Sequence, residues 1–344
     1  MCASSDICFS EFRGLGFRPL CFIPPLFLFS RSIRMAFRRR PAAKFLAAAA
    51  VVLFGALGFP PPAATADPGP GRADLPGALT SAPPPGANDW NCRPGARHPR
   101  PVILVHGTGM DMGSWGALSP ALQREGYCVF ALDYGLATGA WGRGDIRASA
   151  RELAGFVDAV RARTGAAQVD VVGHSQGGTM TRQYLRFEGG ADPSDPSRNK
   201  IRRLVMLGPT THGTTFGGLQ TFVDAFTSLR LTDEPTNEWL AGLGFGLASY
   251  QQMIGSKFLA ALNAGHETVP GVDYRVIASR SDTVVTPPEG SFLVPGPGSS
   301  VLNEWIQDSC PAANVSHVGL LDDPRSIFLV RRALDPSLPG AVPC

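Results

Sequence analysis

Residues 173–177 read Gly-His-Ser-Gln-Gly and follow directly on Gln168-Val169-Asp170-Val171-Val172, an apolar run of strand length. Behind them, residues 179–187 place apolar groups at helical spacing. A strand that passes into a helix within one or two residues must make a sharp, strained turn. Glycines two positions to either side of Ser175 keep side chains clear of that turn, so the serine hydroxyl is held out at the end of a sheet, where it is placed to act as a nucleophile. The five-residue pattern also arises by chance in flexible loops, and it is the strand before it and the helix after it that separate the two cases. Gly178 leaves further room for close packing.

Residues 1–66 differ in character from the rest. Arg38-Arg39-Arg40 and Lys44 lead into an apolar run over residues 45–59, and the small-residue stretch Ala64-Thr65-Ala66 follows. This is the layout of a secretory signal peptide, with cleavage expected after Ala66 and a secreted product. The apolar run, about 15 residues, falls short of the roughly 20 that span a bilayer. Met35 is an alternative start, which would make residues 1–34 an upstream extension carrying three of the seven cysteines. Eight of the 31 Lys and Arg residues but only two of the 28 acidic ones lie in the leader, so the formal charge of +3 turns to about −3 without it. No basic stripe remains to engage nucleic acid.

Residues 67–89 are rich in Pro, Gly and Ala with few large apolar groups, too few to offset the entropy of ordering, and read as a flexible N-terminus. One folded domain is expected over residues 90–344, a common size for a single α/β unit. It retains Cys92, Cys128, Cys310 and Cys344, an even number in an exported chain, which points to two disulfides. Of the three possible connectivities, Cys92–Cys128 and Cys310–Cys344 suit the order of elements best. The first pair brackets the first core strand and the second ties down the C-terminal tail. Free buried thiols would fit a cytosolic protein better.

From residue 101 onward strand and helix signals alternate. Strands are expected at residues 101–106, 128–132, 168–172, 201–207 and 272–278, and helices at 118–125, 145–163, 179–187 and 327–334. Along 145–163, Ile146, Leu153, Phe156, Val157 and Val160 share one face. The alternation implies an α/β fold with a mostly parallel central sheet and helices on both faces, its ligand crevice beyond the carboxyl ends of the strands. With the serine turn, this resembles an α/β-hydrolase, in which the chain order is nucleophile, acid, histidine.

The histidines are His98, His106, His174, His212, His266 and His317. His317 lies after every expected core strand, in a short loop before the last helix, and is the candidate base. His212 could border the cleft but would need an acid between it and Ser175. Asp192 and Asp195 sit in a Pro-rich loop ill placed for that. Among later acids, Asp282 directly follows a strand, Asp273 falls at that strand's wrong end, and Glu304 and Asp308 are reserves. Ser175, His317 and Asp282 then form a nucleophile, base and orienting acid for acyl transfer through an acyl-enzyme. The oxyanion requires fixed donors, expected at the backbone N–H of Gln176 and, in the glycine-bearing loop after the first strand, of Thr108. The histidines form no ligand cluster, so no metal is expected.

The segments Pro101–Thr108, Gly126–Gly135, Val172–Gly178 and Val272–Asp282, with the stretch around His317, resemble the secreted lipases and esterases of the class 2 lipase group, especially those of actinobacteria. The resemblance implies an α/β-hydrolase with this triad, no cofactor, and hydrolysis of carboxylic esters, often acylglycerols. Members often carry a further cysteine pair before the acid loop; this chain has none between Cys128 and Cys310. A cap-like helical insert over the active site is expected at about residues 212–265. There Leu219, Phe222, Val223, Phe226, Leu231, Trp239, Leu240, Leu243, Phe245, Leu247, Met253, Ile254, Phe258 and Leu259 supply apolar groups for core, acyl pocket or transient lipid contact. The expected protein is a monomer acting on a small-molecule or lipid ester. An acyltransferase would share the same acyl-enzyme, and a noncatalytic secreted binding protein on this scaffold would not need all three triad residues.

Overall fold

The computed structural model describes residues 81–218, 246–308 and 310–344, all within one compact unit, Gly71–Cys344. The expected leader, and the insert residues Leu219, Phe222, Val223, Phe226, Leu231, Trp239, Leu240, Leu243 and Phe245, lie outside the described residues.

Continuous apolar runs become buried strands: β1 (Val102–Val105), β2 (Val129–Leu132), β3 (Val169–His174), β4 (Ile201–Leu207) and β5 (Asp273–Ala278). A sixth strand, β6 (Ser300–Trp305), completes a sheet of order β2-β1-β3-β4-β5-β6 in which every pairing is parallel. A parallel sheet needs both faces covered, because each crossover lays a helix on one of them. The side-chain alternation shows how this is met. Ile103, Val105, Val171, Leu204 and Met206 point to one face, and Val102, Leu104, Val172, Val205 and Leu207 to the other.

The first face is covered by α2 (Ile146–Thr164), α3 (Gln176–Phe187) and the short helices α4 (Leu247–Gln251) and α5 (Lys257–Asn263). Ile146, Leu153, Val157 and Val160 of α2 are fully buried there, with Phe156 packed at the margin, as the spacing predicts. The second face is covered by α1 (Leu118–Arg124) and α6 (Pro324–Leu334). Helix ends follow local chemistry. The Asp145 carboxylate caps α2 by accepting from Arg147 N–H, and α2 stops where Gly165 takes a left-handed conformation. Asp323 caps α6 ahead of a first-turn proline.

Two boundaries differ from expectation. The ordered fold begins before residue 90: Asn88 N–H donates to Val129 O, while its side-chain amide both donates to Ala131 O and accepts from Ala131 N–H. One side chain thereby substitutes for a neighbouring strand along the β2 edge. β6 is not among the five expected strands; it is an exposed edge with no apolar run to announce it. The disulfides are Cys92–Cys128 and Cys310–Cys344. No helix among the described residues is long and apolar enough to cross a membrane.

Candidate active site

Ser175 sits between β3 and α3 at φ 53° and ψ −122°, a left-handed conformation that a non-glycine residue holds only where its surroundings fix it. Its N–H donates to Leu207 O on β4 at 2.8 Å. The flanking glycines are sterically required. A Cβ on Gly173 would lie 2.5 Å from Gly178 N, and one on Gly177 would lie 2.2 Å from Val105 O. The turn thus packs backbone on backbone, and Ser175 is left at the carboxyl end of the sheet.

Asp282 lies four residues beyond β5 and His317 between β6 and α6, so both come to the same end of the sheet as Ser175. The His317 Nδ1–Asp282 Oδ2 distance is 2.6 Å, and both residues are buried. The other carboxylate oxygen accepts the N–H groups of Val284 and Val285 at 2.8 and 2.9 Å, which fixes the carboxylate plane. Ser279 joins the acid loop to the histidine loop by donating to Val315 O at 2.5 Å, and Gln307 braces both by donating to Ser279 Oγ and Ala313 O.

Ser175 and His317 line one cavity of about 320 Å³, together with Gly107, Thr108, His174 and the apolar side chains of Met110, Phe216, Val284 and Val318. The Ser175 hydroxyl makes no hydrogen bond to the His317 ring, whose Nδ1 is engaged by Asp282.

Thr108 and Gln176 approach from two different strand ends, and the Thr108 hydroxyl donates to Gln176 Oε1 at 2.5 Å. Neither backbone N–H has a main-chain acceptor among the described residues. Behind Thr108, His106 is buried and stacks on Tyr134 with 4.3 Å between ring centroids, while the Tyr134 hydroxyl donates to His106 O. Burial lowers the His106 pKa and raises that of Tyr134, keeping both neutral.

The other sequence candidates are engaged elsewhere. Glu304 pairs with Arg332, Asp308 with Arg280 and Asp273 with Arg203, all away from His317. Asp192 lies against Arg198, Asp195 caps a short 3-10 turn, and His212 pairs with Glu267 at 2.6 Å. Among the described residues, no group of three or more His, Cys, Asp or Glu side chains is placed to hold a metal ion.

Three contributors escaped the sequence reading. His174 Nε2 donates to His317 O, Gly208 lies against the His317–Asp282 pair, and Gln252 contacts both Thr108 and Gln176. Gly208 directly follows β4, so the rule that sites gather after strand ends pointed to its position. Nothing local marks Gln252.

The family model for lipase (class 2) matches residues 99–300, a span that holds Ser175 and Asp282 and stops before His317. In structure the chain is similar to Aspergillus fumigatus lipase B, with a TM-score of 0.53 and 21% identity over 75% of this chain and 57% of that one. It therefore spans a little over half of that protein's length. It is also similar to the mature form of Bacillus licheniformis lipase BlEst2, with a TM-score of 0.46 and 16% identity over 75% of this chain and 96% of that one. At 21% identity the likeness to the Aspergillus lipase bears on fold alone, and with its parallel sheet covered on both faces by helices the fold is that of the α/β-hydrolases.

Proposed function

The chain belongs to the class 2 lipase family, and from that premise we propose that it is a secreted carboxylic ester hydrolase acting on acylglycerols or related lipid esters through Ser175, His317 and Asp282. The observation that carries this reading is the 2.6 Å contact between His317 Nδ1 and Asp282 Oδ2, made at the wall of the cavity that the strained Ser175 turn also lines.

The chemistry follows from the protonation states. With Asp282 accepting from Nδ1–H, the lone pair of His317 is left on Nε2, the atom that takes the serine proton as Oγ attacks the ester carbonyl. The tetrahedral oxyanion accepts from the N–H groups of Thr108 and Gln176. Collapse expels the alcohol, which takes its proton from the His317 imidazolium, and leaves the acyl group on Ser175. Water then attacks that ester, His317 removes its proton, and the carboxylic acid departs with the serine hydroxyl restored. The side chains of Met110, Phe216, Val284 and Val318 give the cavity an apolar wall suited to an acyl chain. The two disulfides, together with the leader read from the sequence, support export.

The test is a purified-protein assay on esters of increasing acyl length with Ser175→Ala beside it. The wild type hydrolyses the series with rates that extend to medium and long chains, and the variant falls by about 10³-fold or more. Activity confined to the shortest acyl groups would remove the lipase reading, and full activity in Ser175→Ala would remove the mechanism. Product analysis with added alcohol separates hydrolysis from acyl transfer.

A further inference from the structure

Gln252 caps the C-terminus of α4, far along the chain from both oxyanion segments, and its side chain is fully buried. Its Nε2 lies 2.9 Å from Thr108 Oγ1, 3.0 Å from Gln176 Oε1 and 3.0 Å from Ala248 O. Its Oε1 accepts from Thr210 Oγ1 at 2.9 Å, and Thr210 in turn lies 2.9 Å from Thr179 Oγ1. The amide has one possible orientation. Ala248 O only accepts, so the end facing it must be the NH₂ end, and the remaining hydrogen faces the Thr108–Gln176 pair. The main chain of Gln252 is fixed as well: its N–H donates back into α4 and its carbonyl accepts from Thr214 N–H at 2.9 Å.

We infer that Gln252 is a positioning residue for the oxyanion hole, its single amide closing a triangle with the Thr108 hydroxyl and the Gln176 carboxamide so that the backbone N–H groups of those two residues stay at one fixed separation. The inference rests on the proposed assignment of Thr108 and Gln176 as oxyanion donors. Those donors belong to separate segments, the loop after β1 and the first turn of α3. Their side chains meet in a buried place, where a hydrogen bond keeps its geometry and an unmet acceptor is costly. Removing the third corner leaves Gln176 Oε1 with Thr108 alone and frees the β1 loop to shift. A donor displaced by a fraction of an ångström from an oxyanion that exists only in the transition state slows the chemistry while leaving ground-state binding nearly intact. It follows that α4, through the residue that ends it, contributes to the acyl-transfer machinery itself.

The experiment compares wild type with Gln252→Met, of similar length without a donor, and Gln252→Glu, of similar shape with acceptors and a negative charge. Steady-state kinetics on a soluble short-chain ester are normalised to active sites counted by the endpoint of covalent phosphonate labelling, and a boronic acid that forms a tetrahedral adduct on Ser175 reports transition-state affinity. For Gln252→Met, kcat per labelled site is expected to fall about ten- to hundredfold with KM within about threefold, and boronate Ki to rise in parallel; Gln252→Glu is expected to lose more. An unchanged kcat per labelled site, a rise in KM with kcat intact, or an unaltered boronate Ki would overturn the inference. Should neither variant fold, Thr210→Val removes the hydroxyl that orients the amide and is expected to give the same signature at a few-fold magnitude; wild-type kinetics there would equally overturn it. Failure of this inference alone leaves an active wild type and a dead Ser175→Ala, whereas failure of the functional proposal leaves no Ser175-dependent ester hydrolysis at all.

Discussion

His174 Nε2 lies 3.0 Å from the carbonyl oxygen of His317, so the residue just before Ser175 holds the main chain of a residue 143 positions further on. A carbonyl oxygen only accepts, which places the ring hydrogen on Nε2 and leaves Nδ1 bare. The two rings lie 4.7 Å apart between centroids. Strand β3 and the histidine loop are thereby joined beside the proposed nucleophile and base. In His174→Phe the ring volume is kept and the donor is lost. We expect kcat to fall about tenfold with little change in KM, because the proposed base loses its backbone anchor while the cavity wall is retained. Steady-state rates on a soluble ester check this, and an unaltered kcat would reduce the His174–His317 contact to packing.

The same ring gives the fold a pH dependence. Burial, reinforced by the nearby His317, holds the His174 pKa at about 3, against the ordinary histidine value of 6.5. Between those two values the unfolded chain takes up a proton that the folded chain refuses, so stability rises with pH through that window and is fully present above 6.5. Its contribution across the whole window is on the order of 5 kcal/mol. Buried His106 acts in the same direction. Urea unfolding midpoints at several pH values from 4 to 7 are expected to show a shallower acid limb for His174→Phe than for wild type, and parallel limbs would contradict the buried neutral imidazole.

Gly208 occupies the turn after β4 at φ +51°, and a Cβ there would lie 3.2 Å from His317 Nδ1, 3.3 Å from Asp282 Oδ2 and 3.0 Å from Leu320 Cδ1. Ala at this site carries both the backbone strain of the left-handed region and a methyl group wedged beside the His317–Asp282 hydrogen bond. Gly208→Ala is expected to cost about 1 to 2 kcal/mol in stability and to lower kcat by more than tenfold. Thermal unfolding and active-site-normalised kinetics measure the two effects separately, and loss of stability with undiminished kcat would show that the pair accommodates the methyl.

How far the chain announced this arrangement depends on how local each signal is. The bounds of the strand Ile201–Leu207 are legible because four consecutive buried apolar residues end it, and those of α2 are legible to within a residue because Asp145 and Gly165 mark its ends. Asp282 and His317 were legible through their positions after strands, and the structure brings their side chains together. β6 was not legible: its burial comes from one paired edge, and Leu302 on it is 44% exposed. The early start of the fold was hidden because Asn88 imitates a backbone with its side chain. Gln252 stayed invisible because its partners lie 144 and 76 residues away, and a buried amide has no periodicity to betray it.

The strongest separation of orientation from packing is expected at Asp282. One carboxylate oxygen is held by two main-chain donors, Val284 and Val285, while the other faces His317 Nδ1. In Asp282→Asn, the oxygen of the amide must remain with the two N–H groups, because turning it would set the NH₂ against donors. The NH₂ then faces Nδ1 of His317, which has to accept, and the ring hydrogen moves to Nε2, the atom that should receive the serine proton. The residue keeps its shape and its main-chain contacts, so the melting temperature is expected to stay close to that of wild type while kcat falls by about 10⁴-fold. Nitrogen chemical shifts of the His317 ring provide the direct check: hydrogen on Nδ1 in the wild type and on Nε2 in the variant. A loss below tenfold, or an unchanged tautomer, would mean that Asp282 does not orient the base.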